Sequence, residues 1–267
     1  MVTFITRNMS RMSRVFIQSS NAANAANAAN ASANVIKALP LSNSYNLAHM
    51  ARAQPLNLSS SQYRYEASIR DPRNRVIIGH GPAGTGKTYT PCKIAIEMLQ
   101  KKEISKILIT RPAVCVDESH GYLPGDIESK MLPYMRPIYD SFQKSISPET
   151  LRQYLKNEII EICPLSYIRG RTFSDCFLLA DETQNCTVGQ MKMMLTRIGE
   201  NCKVVLTGDL SQSDLQTPHN GLADILDRIE EQYMEQDECC IDVIKFENGD
   251  VMRSKIVMDI LELYKRR

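Results

Sequence analysis

No acidic residue precedes Glu66, no Cys-x-x-Cys pair occurs anywhere, and no uninterrupted apolar run approaches the roughly 18 residues of a membrane-spanning helix. The last absence predicts no membrane partner. The second sets aside a zinc site, because the eight cysteines are scattered and no histidine stands at zinc-finger spacing. Several cysteines lie in apolar runs, as Cys176 does in Cys-Phe-Leu-Leu-Ala, where a thiol packs as a small hydrophobe. That usage suits a reducing compartment and predicts a cytoplasmic protein.

The missing acids divide the chain. Residues 1–70 hold seven Lys or Arg and one acid, whereas the remainder holds 25 basic against 29 acidic residues. The net charge of +2 therefore joins a basic arm to a mildly acidic body, and any nucleic-acid contact by the body must come from local basic patches. Ile5, Met9, Met12 and Phe16 recur at helical spacing, with Arg7, Arg11 and Arg14 on another face, and an Asn-Ala-Ala repeat follows from Asn21 to Asn30. Such low-complexity sequence cannot bury a core. Residues 1–55 are expected to be a disordered arm or a targeting segment. A basic amphipathic start also resembles a transit peptide, so import into a mitochondrion or plastid is the alternative to a cytoplasmic location.

Residues 56–267 alternate short apolar runs with longer amphipathic segments, the pattern of strands joined through helices. Strands are expected at Arg75–Gly79, Lys106–Thr110, Ile159–Cys163, Cys176–Ala180, Cys202–Thr207 and Ile241–Phe246. Helices are expected at Lys87–Lys101, Asp126–Tyr139, Pro148–Lys156, Val188–Ile198, Leu222–Met234 and Val251–Tyr264. This predicts one α/β domain with active groups at the carboxyl ends of its strands.

The β-branched run Val76-Ile77-Ile78 leads into Gly81-Pro82-Ala83-Gly84-Thr85-Gly86-Lys87-Thr88, and a helical pattern follows. Strand, glycine loop and helix stand in the order of a P-loop. Its backbone N–H groups and the helix N-terminus would wrap phosphates, Lys87 would reach the β- and γ-phosphates, and the Thr88 hydroxyl would ligate Mg²⁺. Four apolar residues before Asp181 and Glu182 place this acidic pair at a strand end, where Asp181 would hold the metal and Glu182 would polarise the attacking water. In isolation such a pair reads as a helix cap or a solvated turn. Gln184 and Gln212 follow strand ends as candidate sensors of the γ-phosphate. Gln62, 25 positions before Lys87, carries the donor and acceptor that suit an adenine edge.

Gly81–Thr88, Ile-Thr-Arg-Pro-Ala-Val at 109–114, Gly-Tyr-Leu-Pro-Gly-Asp at 121–126, Tyr-Ile-Arg-Gly-Arg-Thr-Phe at 167–173, Asp-Glu-Thr-Gln-Asn at 181–185, Gln-Met-Lys-Met at 190–193 and Thr-Gly-Asp-Leu-Ser-Gln at 207–212 resemble the PhoH-like ATPases from about Leu56 to the C-terminus. The resemblance implies a RecA-like P-loop fold with a central, mostly parallel sheet and helices on both faces, similar to the superfamily-one helicase core. It also implies ATP with Mg²⁺ as ligand, and supports Gln62, Gln184 and Gln212 in the roles above. It further implies a homo-oligomer of the hexameric-ring kind, in which an arginine from a neighbour completes each site; Arg253 matches that position. Two departures stand out: Asp-Glu-Thr-Gln replaces the usual Asp-Glu-Ala-Gln, and Ser254-Lys255 replaces His-Pro after the arginine.

Hydrolysis must drive something. Arg111, Arg136, Arg169 and Arg171 are the residues that could meet a phosphate backbone, Arg111 because it resembles the strand-end position where helicase-like cores hold single strands. Each could instead form a structural ion pair. Two functional classes stay open: an RNA-dependent, helicase-like ATPase, and an ATP-gated binding module without translocation. A non-enzymatic scaffold would leave the paired motifs without a purpose.

Overall fold

The structure, a computed structural model, describes residues 58–112, 127–215, 219–232 and 240–252, with 256, 257, 260 and 263. The expected N-terminal arm, the 121–126 stretch and Arg253 lie outside the described residues. Six strands form one sheet: β1 Val76–His80, β2 Lys106–Thr110, β3 Ile160–Ile162, β4 Cys176–Ala180, β5 Cys202–Gly208 and β6 Ile241–Lys245, in the order β3-β2-β4-β5-β1-β6. Every neighbouring pair is parallel. The central strands read as continuous apolar runs because they are buried on both faces.

Seven helices accompany them among the described residues: α1 Ser60–Arg70, α2 Tyr89–Gln100, α3 Ile127–Gln143, α4 Pro148–Lys156, α5 Leu165–Ile168, α6 Val188–Leu195 and α7 Gly221–Gln232. Helix α2 starts two residues later than expected because Lys87 and Thr88 belong to the loop. Helix α6 stops at Leu195 instead of Ile198, and α3 runs on to Gln143 instead of ending at Tyr139. Residues 251 and 252 are not helical, whereas 256, 257, 260 and 263 are. Helices α1 and α5 were not expected. Helix α1 buries two polar residues, Gln62 and Ser68, beside Tyr65 and Ile69, which blurs its apolar face. Its local signal is the capping box between Ser59 and Gln62. Helix α5 has only four residues, too few to show a period.

Alternating strand residues sort the helices. Ile77, Ile107, Ile109, Phe177, Leu179 and Val205 pack with α1 through α4, whereas Ile78, Leu108, Leu178, Val204 and Leu206 pack with α5, α6 and α7. The sorting follows the chain's direction. Connections that step toward the β3 edge carry α2, α3 and α4 on one face, and those that step back toward β6 carry α5, α6 and α7 on the other. Crossovers of a single hand require this arrangement. Ligands of such sheets sit at the carboxyl ends where neighbouring strands send their connections to opposite faces, which here is between β1 and β5.

One buried cation ties α1 to the sheet. Lys203 on β5 donates to the carbonyls of Ile69 and Asp71, each at 2.7 Å, at the C-terminal end of α1, where the helix dipole favours positive charge. Burial nevertheless lowers its pKa to about 8, with Asp71 opposing. Above that pH the unfolded chain, with an ordinary lysine, binds a proton that the folded chain has released, so stability gains as pH rises from 8 toward 10. Denaturant titrations at pH 7 and pH 9.5 should show the wild type gaining on Lys203→Met over this window. An equal pH response in the two proteins would contradict this.

Candidate active site

The loop leaving β1 is shaped by contacts that admit no side chain at Gly81. Its φ is 136°, and a Cβ there would stand 2.3 Å from the Phe246 carbonyl oxygen. The Gly81 N–H donates to the Gly208 carbonyl at 3.1 Å, which fastens the loop to the end of β5. Buried Thr85 donates to the Pro82 carbonyl at 3.1 Å, the Met252 N–H donates to the Gly84 carbonyl at 2.9 Å, and Ala83 forms the exposed rim. Lys87 Nζ reaches over the loop and donates to the carbonyls of Gly81 and Pro82, each at 2.6 Å. Thr88 holds the N-cap position of α2 without capping it, because its hydroxyl points elsewhere. The first-turn N–H groups are thereby left to an anion in the loop.

Thr88 Oγ1 donates instead to Asp181 Oδ1 at 2.8 Å, and the same carboxylate oxygen accepts from Thr207 Oγ1 at 2.5 Å. Asp181 is 5% exposed and follows β4, Thr207 lies on β5, and Thr88 follows the β1 loop. Three adjacent strands thus deliver three oxygens to one point. Hydroxyl and carboxylate oxygens are the hard donors that Mg²⁺ takes alongside substrate phosphates, so the set fits that ion.

Glu182 sits beside this cluster with φ 56°, in the left-handed region, which costs a non-glycine residue about 1 kcal/mol or more. Two neighbours hold its carboxylate. Arg111 Nη2 pairs with Oε1 at 3.0 Å, and Gln184 Nε2 donates to Oε2 at 2.6 Å. Gln184 Oε1 in turn accepts from the Asp209 N–H at 3.1 Å, and Asp209 Oδ2 accepts from Gln212 Nε2 at 2.5 Å. One polar chain therefore runs from Arg111 through Glu182, Gln184 and Asp209 to Gln212. Burial lowers the Lys87 pKa, while Asp209, Glu182 and Asp181 act to raise it.

Gln62 lies at the loop, buried, but its carboxamide is engaged within the protein. Nε2 donates to the carbonyls of Thr85 and Asp250 at 3.0 and 3.2 Å, and Oε1 accepts from the Ser59 N–H at 2.9 Å. It ties α1, the loop and the Asn248–Asp250 turn together, and with both Nε2 hydrogens spent it could donate to an adenine only by exchanging one of these bonds. The arginines divide. Arg111 is bound to Glu182 and to the Tyr134 carbonyl at 2.7 Å. Arg171 is paired in bidentate fashion with Glu161 at 2.6 and 3.1 Å, with its guanidinium over the Phe173 ring. For Arg171 the ion-pair alternative is therefore the one the geometry favours, since Glu161 also holds Lys106 and its own pKa falls despite burial. Arg136 and Arg169 are exposed. Thr207 and Asp209 carry no sequence signal beyond the Thr-Gly-Asp stretch at the end of β5.

Residues 56–265 match the family model described as PhoH-like protein. The chain is similar to a PhoH-like protein of Mycobacterium tuberculosis (strain ATCC 25618 / H37Rv), 41% identical over 77% of this chain and 56% of the relative. It is similar to a PhoH-like protein of Bacillus subtilis (strain 168), 41% identical over 77% of this chain and 62% of the relative. It is also similar to Protein PhoH of Escherichia coli (strain K12), 38% identical over 77% of this chain and 57% of the relative. The chain thus spans little more than half the length of these relatives. Among solved structures, the Sulfolobus solfataricus SWI2/SNF2 ATPase core in complex with dsDNA matches with a TM-score of 0.35 and 12% identity, over 55% of this chain and 30% of that one.

Proposed function

This chain belongs to the PhoH-like protein family, and from that premise we propose that it hydrolyses ATP with Mg²⁺ in response to single-stranded RNA, as a helicase-like motor. The observation that carries the reading is the 2.8 Å bond between Thr88 and Asp181, which joins the phosphate loop to a strand-end acid. In this reading the loop N–H groups and Lys87 grip the β- and γ-phosphates. Thr88 and Asp181 hold the magnesium, which when bound neutralises charge on the phosphate oxygens. Glu182 accepts a hydrogen bond from the attacking water and orients it. As the water oxygen bonds to the γ-phosphorus, the bond to the ADP oxygen breaks and the water's proton passes to Glu182 or to the released phosphate. Gln184 and Gln212 relay the presence of the γ-phosphate along the polar chain.

Four further assignments belong to the same proposal. Gln62 reads adenine, Arg253 of a neighbouring copy completes the site in a homo-oligomeric ring, Arg111 and Arg169 face the nucleic acid, and the protein works in the cytoplasm.

ATP turnover measured with and without oligouridylate tests the reading. Several-fold stimulation is expected. Turnover that ignores RNA would replace the motor with an ATP-gated binding module, and no turnover in either condition would remove the enzyme altogether.

A further inference from the structure

Away from the phosphate loop, a cleft of about 460 Å³ runs along the outer face of α6, lined by Gly189, Lys192, Met193, Thr196 and Arg197, with Arg169 and Gly170 as the opposite wall. Gly189, Lys192 and Met193 share one face of α6, and Thr196 and Arg197 continue that wall just past its C-terminal end. The walls are held in register by backbone bonds: the Phe173 N–H donates to the Arg197 carbonyl at 2.8 Å, and the Gly199 N–H donates to the Phe173 carbonyl at 2.7 Å. No acidic residue lines the cleft.

Three features point to an anionic ligand. Arg169 and Lys192 are exposed and enter no ion pair among the described residues, in contrast to Arg111 and Arg171. Among the described residues Arg197 makes one side-chain bond, to Thr196 Oγ1 at 3.2 Å, and its buried Nε finds no hydrogen-bond partner, an arrangement that is costly unless something polar meets it. Gly189 is the second residue of α6. A Cβ at Gly189 would meet nothing within 4 Å, so the fold does not require the glycine, and its effect is a smooth floor that a ligand can approach closely.

We infer that this cleft binds the phosphodiester backbone of a single-stranded nucleic acid. Basic side chains stand on both walls, Arg169 on one and Lys192 with Arg197 on the other, which suits a backbone of repeated phosphates better than one small anion. Exposed Tyr167, two residues before Arg169, offers a ring on which a base can stack. The cleft also connects to the candidate active site. Helix α6 follows directly on the Thr183–Asn185 turn that carries Gln184, so a strand that shifts α6 shifts the side chain bridging Glu182 and Asp209. The inference rests on the RNA-dependent reading and assigns it a surface.

The test uses the full chain, a fluorescein-labelled 12-nucleotide oligouridylate, its oligothymidylate counterpart, and a fluorescent ATP analogue. The double variant Arg169→Ala/Lys192→Ala should lose at least tenfold in oligonucleotide affinity and flatten the salt dependence by about two phosphate contacts. It should bind the ATP analogue as the wild type does. Gly189→Leu, which fills the floor without changing charge, should weaken oligonucleotide binding in the same direction. Wild-type binding of RNA that both variants retain would overturn the cleft and spare the RNA-dependent reading. A wild type that binds the ATP analogue but neither oligonucleotide would overturn both. Displacement of the RNA by oligo-aspartate at equal charge concentration would assign the cleft to an acidic protein partner instead, and overturn the nucleic-acid proposal.

Discussion

Lys87→Ala is expected to weaken ATP binding by about 10–10²-fold, the effect of losing a hydrogen bond to a charged group. Among the described residues, Lys87 Nζ donates only to the loop carbonyls of Gly81 and Pro82. Neither carbonyl belongs to the sheet, so thermal unfolding should move by no more than a few degrees. A fluorescent ATP analogue titrated into both proteins decides the matter. Binding at wild-type affinity would remove Lys87 from the site, and a collapsed melting curve would show that the side chain serves the fold.

Glu182→Gln should separate binding from turnover. The amide keeps an oxygen for Arg111 while losing the capacity to take a proton, so ATP affinity should stay within about twofold and hydrolysis should fall by about 10²–10⁴-fold, the range for a general base. The Arg111 pair is partly solvated, with side-chain exposures of 18% and 36%, and its loss should change stability little. Single-turnover hydrolysis checks this. Normal turnover in the variant would mean that Glu182 is not the base, and would shift attention to Asp209, the other acid on the polar chain.

Much of this arrangement is readable from residue order. The four central strands are short, mostly apolar runs bounded by loop residues, and strands buried on both faces leave that mark whatever their neighbours are. The phosphate loop and Asp181–Glu182 are equally legible, because a glycine loop flanked by strand and helix has few other uses. Sheet order is not encoded that way. Nothing in Val-Ile-Ile says that β1 lies between β5 and β6, since an apolar strand fits any central slot. The ion pairs escaped for a similar reason. Arg111 and Glu182 are 71 residues apart, Arg171 meets Glu161 across a turn, and charged residues carry no periodicity that names a partner. Helix α1 escaped because its buried positions include Gln62 and Ser68, which read as exposed until the loop they support is known.

The position of β1 bears on how the protein is made. The phosphate loop is encoded early, but the strand that carries it has no pairing partner nearby in the chain: Val76 pairs with Val204 on one side and with Ile241 on the other. A nascent chain that has exposed Gly81–Thr88 still lacks Thr207, Gly208 and Phe246, which brace the loop. Because contacts of such wide sequence separation form late, the Gly81–Thr88 loop is among the last segments to acquire its shape. Until β6 emerges from the ribosome, the edge of β1 that Ile241 comes to cover has no strand to pair with, and the growing chain is protected there by chaperones or by speed.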